Sequence, residues 1–249
     1  MPISTAILFC TIIFAPMAQK KLQRFADIKT FANVMEYPEG MQGKWNGFFK
    51  NDNPIILELA CGRGEYTNGL ANLFPQQNFI GVDVKGNRMY IGAKKAMEQK
   101  IANAGFLRTQ IEKITGYFAP GEVDEIWITF PDPQLRVSKA KKRLTHPRFL
   151  RLYQQFLKQA GVIHLKTDSP DLYLFTKKVI ELYGLTIVED CSDIHKQSEI
   201  AAALKIKTHY ESLDIAQSNK IHYLKFTLPA VIKNIDDLLQ EQLKNEQAD

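Results

Sequence analysis

The sequence predicts an α/β fold, a largely parallel sheet with helices on both faces. First, short apolar runs alternate with longer segments of helical spacing between about residues 54 and 228. Such alternation implies parallel strands joined by crossover helices. Second, glycines and carboxylates stand just after several of those runs, at the strand ends where such sheets bind ligands. Third, the 249 residues are 45% hydrophobic and 24% charged, which suits one soluble domain with ample core.

The chain opens with "ISTAILFCTIIFAP", an apolar run of signal-core length that is too short to span a bilayer comfortably. It has no basic flank and no clear small-residue cleavage site. Residues 1–16 are therefore expected to be an upstream extension or hydrophobic leader, with Met17 the natural start. Residues 17–50 read as a basic N-terminal arm carrying Lys20, Lys21, Arg24 and Lys29. Residues 51–230 form the principal domain, and 231–249 an acidic tail or helix.

"PIILELA" is the first expected strand and "GEYTNGLANLF" the helix after it. "NFIGVDV" is the second strand, followed by a helix over Asn87–Gln99 with Met89, Ala93, Ala96 and Met97 near helical spacing. "AGFLRTQ" is the third strand, with a helical stretch at Ile111–Phe118. "VDEIWITF" is the fourth, and Pro147 opens a helix to about Gln159. "GVIHLKT" is the fifth, with a helix from about Pro170 to Tyr183. "LTIVED" and "HYLKFTL" complete a seven-stranded count, and residues 193–212 between them read as helix then loop.

After the first strand, Gly62 and Gly64 permit a tight turn and close ligand approach. Asp83 ends the second strand, where a carboxylate can hold both hydroxyls of a ribose; the competing structural reading is a helix N-cap. Together they favour a nucleoside-containing cofactor without separating a nicotinamide dinucleotide from S-adenosylmethionine. Glu58 leans toward the latter, because a carboxylate repels pyrophosphate and suits a cationic methionine. Gln110 could bond an adenine edge or simply be an exposed polar residue. After the fourth strand comes "FPDP", in which Pro131 and Pro133 restrict Asp132 from both sides. A plain turn-forming Asp is the competing reading.

The cluster Ser138–Arg151 holds three lysines and three arginines with no acid, in a chain of net charge +5. By itself this fits a solvated face as well as a polyanion-binding one. Three scattered cysteines (Cys10, Cys61 and Cys191) give no disulfide or zinc pattern. No metal site is expected, and His164, inside an apolar strand, reads as a core histidine.

Taken in order, "ELACGRGE", "GVDV", "FPDP" with its basic cluster, "TDSPDLY" and "THYE" resemble the bacterial tRNA (guanine-N(7)-)-methyltransferase family, of TrmB type. The resemblance covers roughly residues 55 to 228. It implies a Rossmann-like S-adenosylmethionine-dependent methyltransferase fold acting on the N-7 nitrogen of a variable-loop guanine in tRNA; the cysteine usage fits a reducing cytoplasm. It implies that Glu58, Gly62, Asp83, Gln110 and Asp132 bind the cofactor and that Asp132 is catalytic. It puts Arg136, Asp168, Thr208, Tyr210 and Glu211 against the substrate guanosine. Lys139, Lys141, Lys142, Arg143 and Arg148 then become candidates for tRNA phosphate contacts, with Lys20, Lys21 and Arg24 as an accessory arm. Three departures stand out: Gln134-Leu135-Arg136 replaces the family's usual Trp-His-Lys, Gln110 stands where an acid or Asn is commoner, and Ala60 replaces a common glycine. The last exchange is expected to be harmless.

The competing functions are a nicotinamide-dependent oxidoreductase and a non-catalytic RNA-binding protein on the same fold. Methylation of an exocyclic amine is disfavoured, because the Asn/Asp-Pro-Pro-aromatic motif of such enzymes is absent.

Overall fold

The structure, a computed structural model, describes residues 16–209, 211–213, 217 and 219–246. Residues 1–15 of the expected leader (1–16) and the candidate substrate residue Tyr210 lie outside the described residues.

Eight strands form one sheet: β1 (Val34–Glu36), β2 (Ile55–Leu59), β3 (Asn78–Asp83), β4 (Ala104–Arg108), β5 (Val123–Thr129), β6 (Leu157–Thr167), β7 (Thr186–Cys191) and β8 (His222–Thr227). Their spatial order is β1-β4-β3-β2-β5-β6-β8-β7. The first six are parallel, whereas β8 runs antiparallel between β6 and β7. This is the predicted mostly parallel α/β sheet with one strand more than the seven expected. The central strands are buried on both faces, so they read as continuous apolar runs rather than alternating ones.

The extra strand is β1. Only three residues long and half-buried throughout, it carries no periodicity of its own. Pairing with β4, Val34 opposite Phe106 through Glu36 opposite Arg108, makes it a strand. The Arg108 guanidinium also pairs with Glu36 and lies over the rings of Phe25 and Tyr37. Part of the expected arm is thus a structured sheet edge.

Seven helices accompany the sheet among the described residues: α1 (Pro16–Asp27), α2 (Trp45–Phe49), α3 (Glu65–Leu73), α4 (Gly86–Glu98), α5 (Pro147–Tyr153), α6 (Pro170–Tyr183) and α7 (Asp236–Asn245). Pro at the first turn and a side-chain cap start two of them. His146 Nδ1 accepts from Arg148 N, and Ser169 Oγ accepts from Leu172 N. α5 ends at Tyr153 rather than near Gln159, because β6 begins at Leu157 and pairs early with Val123. Residues 111–116 form a 3₁₀ helix, and the described residues of 193–212 hold short 3₁₀ turns instead of the expected helix. The acidic C-terminal segment docks as α7: Leu239 and Leu243 are buried, and Asp236 accepts from Arg151 and Tyr183.

Two apolar layers enclose the sheet. One gathers Leu57, Ile126, Ile163, Phe149 and Phe175, the other Ile56, Tyr66, Phe79, Phe106 and Trp127. The strand order reverses between β2 and β5, and there the carboxyl ends open a crevice, as the doubly wound topology requires.

Candidate active site

The turn after β2 is the floor of that crevice. Gly62 and Gly64 take left-handed φ of 55° and 66°, and a Cβ on Gly64 would meet Phe106 Cε1 at 2.6 Å. Ala60 also has a left-handed φ of 58°. Its replacement of glycine is therefore not neutral, since a Cβ in that region costs about 1 kcal/mol.

Asp83, at the end of β3, is buried and faces the turn. Its Oδ2 accepts from Gly62 N at 3.0 Å, and its Oδ1 accepts from Lys85 N at 2.8 Å. A carboxylate has about four acceptor sites, so each oxygen keeps capacity for one more donor. A ribose diol matches that remaining capacity.

Glu58 stands beneath the turn, 3% exposed, and does not line the crevice. Its Oε2 accepts from Thr67 N at 2.7 Å and from Thr67 Oγ1, and its Oε1 accepts from Thr129 Oγ1 at 2.8 Å. The carboxylate thus ties α3 to the end of β5. Burial pushes its pKa up to about 7, against the lowering by the Thr67 and Thr129 hydrogen bonds. Between the unfolded value of roughly 4.3 and about 7 the folded chain binds the extra proton, so stability falls as pH rises through that window. The loss should be on the order of 3 kcal/mol, and Glu58→Gln should remove most of it. Urea unfolding of both proteins at pH 5 and pH 8 measures the difference.

Across the crevice, β5 runs into Phe130-Pro131-Asp132-Pro133-Gln134. Phe130 and Gln134 take left-handed φ of 46° and 48°, a conformation that costs bulky residues roughly 1–3 kcal/mol each. Between these two strained residues the exposed Asp132 accepts from Gln134 N at 3.0 Å through Oδ1.

The strain is held by Arg143. Only 4% exposed, it donates through Nε to Pro133 O and Gln134 O, and through Nη2 to Gln134 O and Leu135 O, at 3.1–3.3 Å. Its guanidinium lies 4.4 Å from the centroid of the Phe175 ring. Arg143, expected to hold phosphate, is instead an internal clamp on the Asp132 loop. A basic run offers no sequence signal for which member turns inward. Arg148 is half-buried and pairs with Glu112 at 3.7 Å. Lys139, Lys141 and Lys142 are exposed on a 3₁₀ turn, Val137–Lys142, that opens at exposed Arg136.

The crevice measures about 740 Å³, within the range of small-molecule sites. Gly62, Asp83, Asp132 and Asp168 share its walls, as the sequence anticipates, along with Lys85, Arg88 and Asp171, which it did not single out. Gln110 is exposed and off the wall. Thr208 and Glu211 lie one layer back: Glu211 pairs with buried Lys166, whose Nζ is 5.5 Å from the centroid of the Phe130 wall. A larger groove of about 1040 Å³ lies between α6 and α7. It holds none of the glycine-turn or Asp132 groups, so the chemistry belongs to the smaller crevice. A glycine turn, a strand-end carboxylate with spare acceptors and an excess of acid fit a cationic nucleoside cofactor.

Cys61 and Cys191 are free and buried. Among the described residues no cluster of three or more His, Cys, Asp or Glu side chains could hold a metal ion, and no helix is long and apolar enough to cross a membrane. His164 is a core histidine, stacked on Trp127 and bonded to Tyr223 and Glu125.

Residues 52–224 match the family model described as "Putative methyltransferase". The tRNA (guanine-N(7)-)-methyltransferase of Bacteroides fragilis is 47% identical over 86% of this chain and 87% of its own. The protein of that name from Pediococcus pentosaceus is 32% identical over 77% of this chain and 90% of its own. Among solved structures, the 16S rRNA methyltransferase KamB superposes with a TM-score of 0.57, covering 77% of this chain and 96% of its own at 14% identity. That likeness speaks for the methyltransferase fold.

Proposed function

The chain belongs to the tRNA (guanine-N(7)-)-methyltransferase family, and we propose on that premise that it transfers a methyl group from S-adenosylmethionine to N-7 of a variable-loop guanine in tRNA. The single observation that carries the site assignment is the convergence of Asp83 and Asp132 on one crevice beside the glycine turn. The oxidoreductase and non-catalytic readings find no support among the relatives. A cytoplasmic location follows from the substrate class and is part of the same proposal.

The cofactor supplies a methyl group on a sulfonium. Asp83 and the Gly62 turn would hold its nucleoside part, and Glu58 would act behind the turn as a brace. Guanine N-7 carries an in-plane lone pair and no proton, so the protein need not supply a general base. Its work is alignment, which contributes up to roughly 7–11 kcal/mol in ideal cases. Asp132 would accept hydrogen bonds from the guanine N–H edge and favour the positive charge that develops on the purine. Asp168 and Arg136 would frame the base from the strand end and the rim. Opening of the target nucleotide from its stack would bring it to the crevice.

Lys139, Lys141 and Lys142 would meet tRNA phosphates. Replacing all three by alanine should lower the slope of log affinity against log salt by roughly 2–3, while kcat at saturating tRNA holds. Filter binding across a salt series gives the slope. The decisive test of function is incubation with tRNA and labelled S-adenosylmethionine followed by nucleoside analysis. N-7-methylguanosine is the expected product, and its absence would reject the reading.

A further inference from the structure

Lys166, near the end of β6, is fully buried. An ammonium has three protons to donate, and all three are taken here. Nζ donates to Leu204 O at 2.9 Å, Ile206 O at 3.0 Å and Glu211 Oε2 at 2.9 Å. The cation also lies 5.4 Å and 5.5 Å from the centroids of the Tyr66 and Phe130 rings. Tyr66 OH donates to Ala203 O at 2.5 Å. The segment is bound within itself as well: Glu211 N donates to Thr208 Oγ1, and Ser212 N to Thr208 O. One buried cation therefore fastens the crossing segment at three points and touches Phe130, a wall of the crevice.

The Glu211 side chain is only 8% exposed, its Oε2 accepts from buried Lys166, and it is not among the residues that line the crevice. We propose that Glu211 is a positioning residue rather than a reader of the base: paired with Lys166, it is the strut that seats residues 203–209 and 211–213 against the crevice wall. The proposal rests on the tRNA-methylating reading above, since it assigns that segment to the substrate side. An unpaired charge at a buried position is strongly unfavourable, so the two residues should act as a unit.

The test compares Glu211→Gln with Glu211→Ala in the full-length protein. Glutamine keeps an oxygen that can accept from Lys166, but it places an N–H donor where a base reader needs an acceptor. If Glu211 is the strut, Glu211→Gln holds kcat/KM for tRNA within about threefold, while Glu211→Ala and Lys166→Met each raise KM roughly tenfold. Binding of S-adenosylhomocysteine should stay within about threefold of the parent, and the Lys166→Met/Glu211→Ala double variant should be little worse than either single change, as coupling predicts. Backbone hydrogen exchange over residues 203–209 and 211–213 should rise in the alanine and methionine variants and not in the glutamine one. If Glu211→Gln instead loses roughly 10- to 100-fold, as the loss of a direct base contact would, the proposal is overturned. Unchanged exchange in Glu211→Ala would overturn it too, and should Lys166→Met not fold, the two Glu211 variants suffice. Hydrogen exchange reads the strut without any methyl transfer, so a wild-type reaction lacking N-7-methylguanosine would sink the functional reading alone.

Discussion

Asp132→Ala should lower kcat for tRNA methylation by roughly 10²- to 10³-fold, the range seen when one preorganised electrostatic group is removed from a reacting centre. The side chain is exposed and makes one backbone hydrogen bond, to Gln134 N. Stability should therefore change by no more than about 1 kcal/mol. Asp132→Asn should fall nearly as far, because an amide keeps the shape and loses the charge that favours a purinium. tRNA affinity should be almost unchanged in both, since phosphate contacts dominate it. Single-turnover assays with cofactor and tRNA saturating isolate the step. A rate within about threefold of the parent would show that Asp132 is a turn residue and nothing more.

Arg143→Met should show the second-largest effect, and by a different route. Its guanidinium holds three successive carbonyls, of Pro133, Gln134 and Leu135. These lie just past Asp132 and span the strained Gln134. Hydrogen bonds from a charged group contribute about 1.5–3 kcal/mol each, so losing the clamp should destabilise the protein by roughly 2–4 kcal/mol after relaxation. With the clamp gone, Gln134 can leave its left-handed conformation and Asp132 loses its fixed place. A displacement of about 1 Å can cost on the order of 10²-fold in rate, so kcat should fall while the salt dependence of tRNA binding stays as it was. Arg143→Lys should not rescue, because a point-like ammonium cannot span three carbonyls as a planar fork does. A reduced salt slope in Arg143→Met would return this residue to the phosphate-binding surface.

These two residues show where sequence reading succeeds and stops. Asp132 is legible because its constraint is local: the adjacent prolines and the end of an apolar run place it at the sheet's rim. Gly62, Gly64 and Asp83 are legible for the same reason, since turns and strand ends are set by short-range sterics. Arg143 sits among look-alike neighbours in the basic run, and only its neighbours in space, Phe175 and the Pro133–Leu135 carbonyls, distinguish it from Lys141 and Lys142. Glu58 reads as a strand-end acid, but its partners Thr67 and Thr129 come from two other elements.

The sequence by itself determined the mostly parallel α/β architecture, the order of seven of its eight strands and four groups on the crevice wall, Gly62, Asp83, Asp132 and Asp168, because periodicity, caps and turns act over a few neighbouring positions. Tertiary structure alone decided that residues 34–36 become a strand, that Ala60 bears a left-handed turn, and that Arg143 and Lys166 point inward. The strand at residues 34–36 depends on β4, Arg143 on the Phe175 ring and the Pro133–Leu135 carbonyls, and Lys166 on the Leu204 and Ile206 carbonyls and Glu211. A buried charge is tolerated only where such partners converge to replace its water.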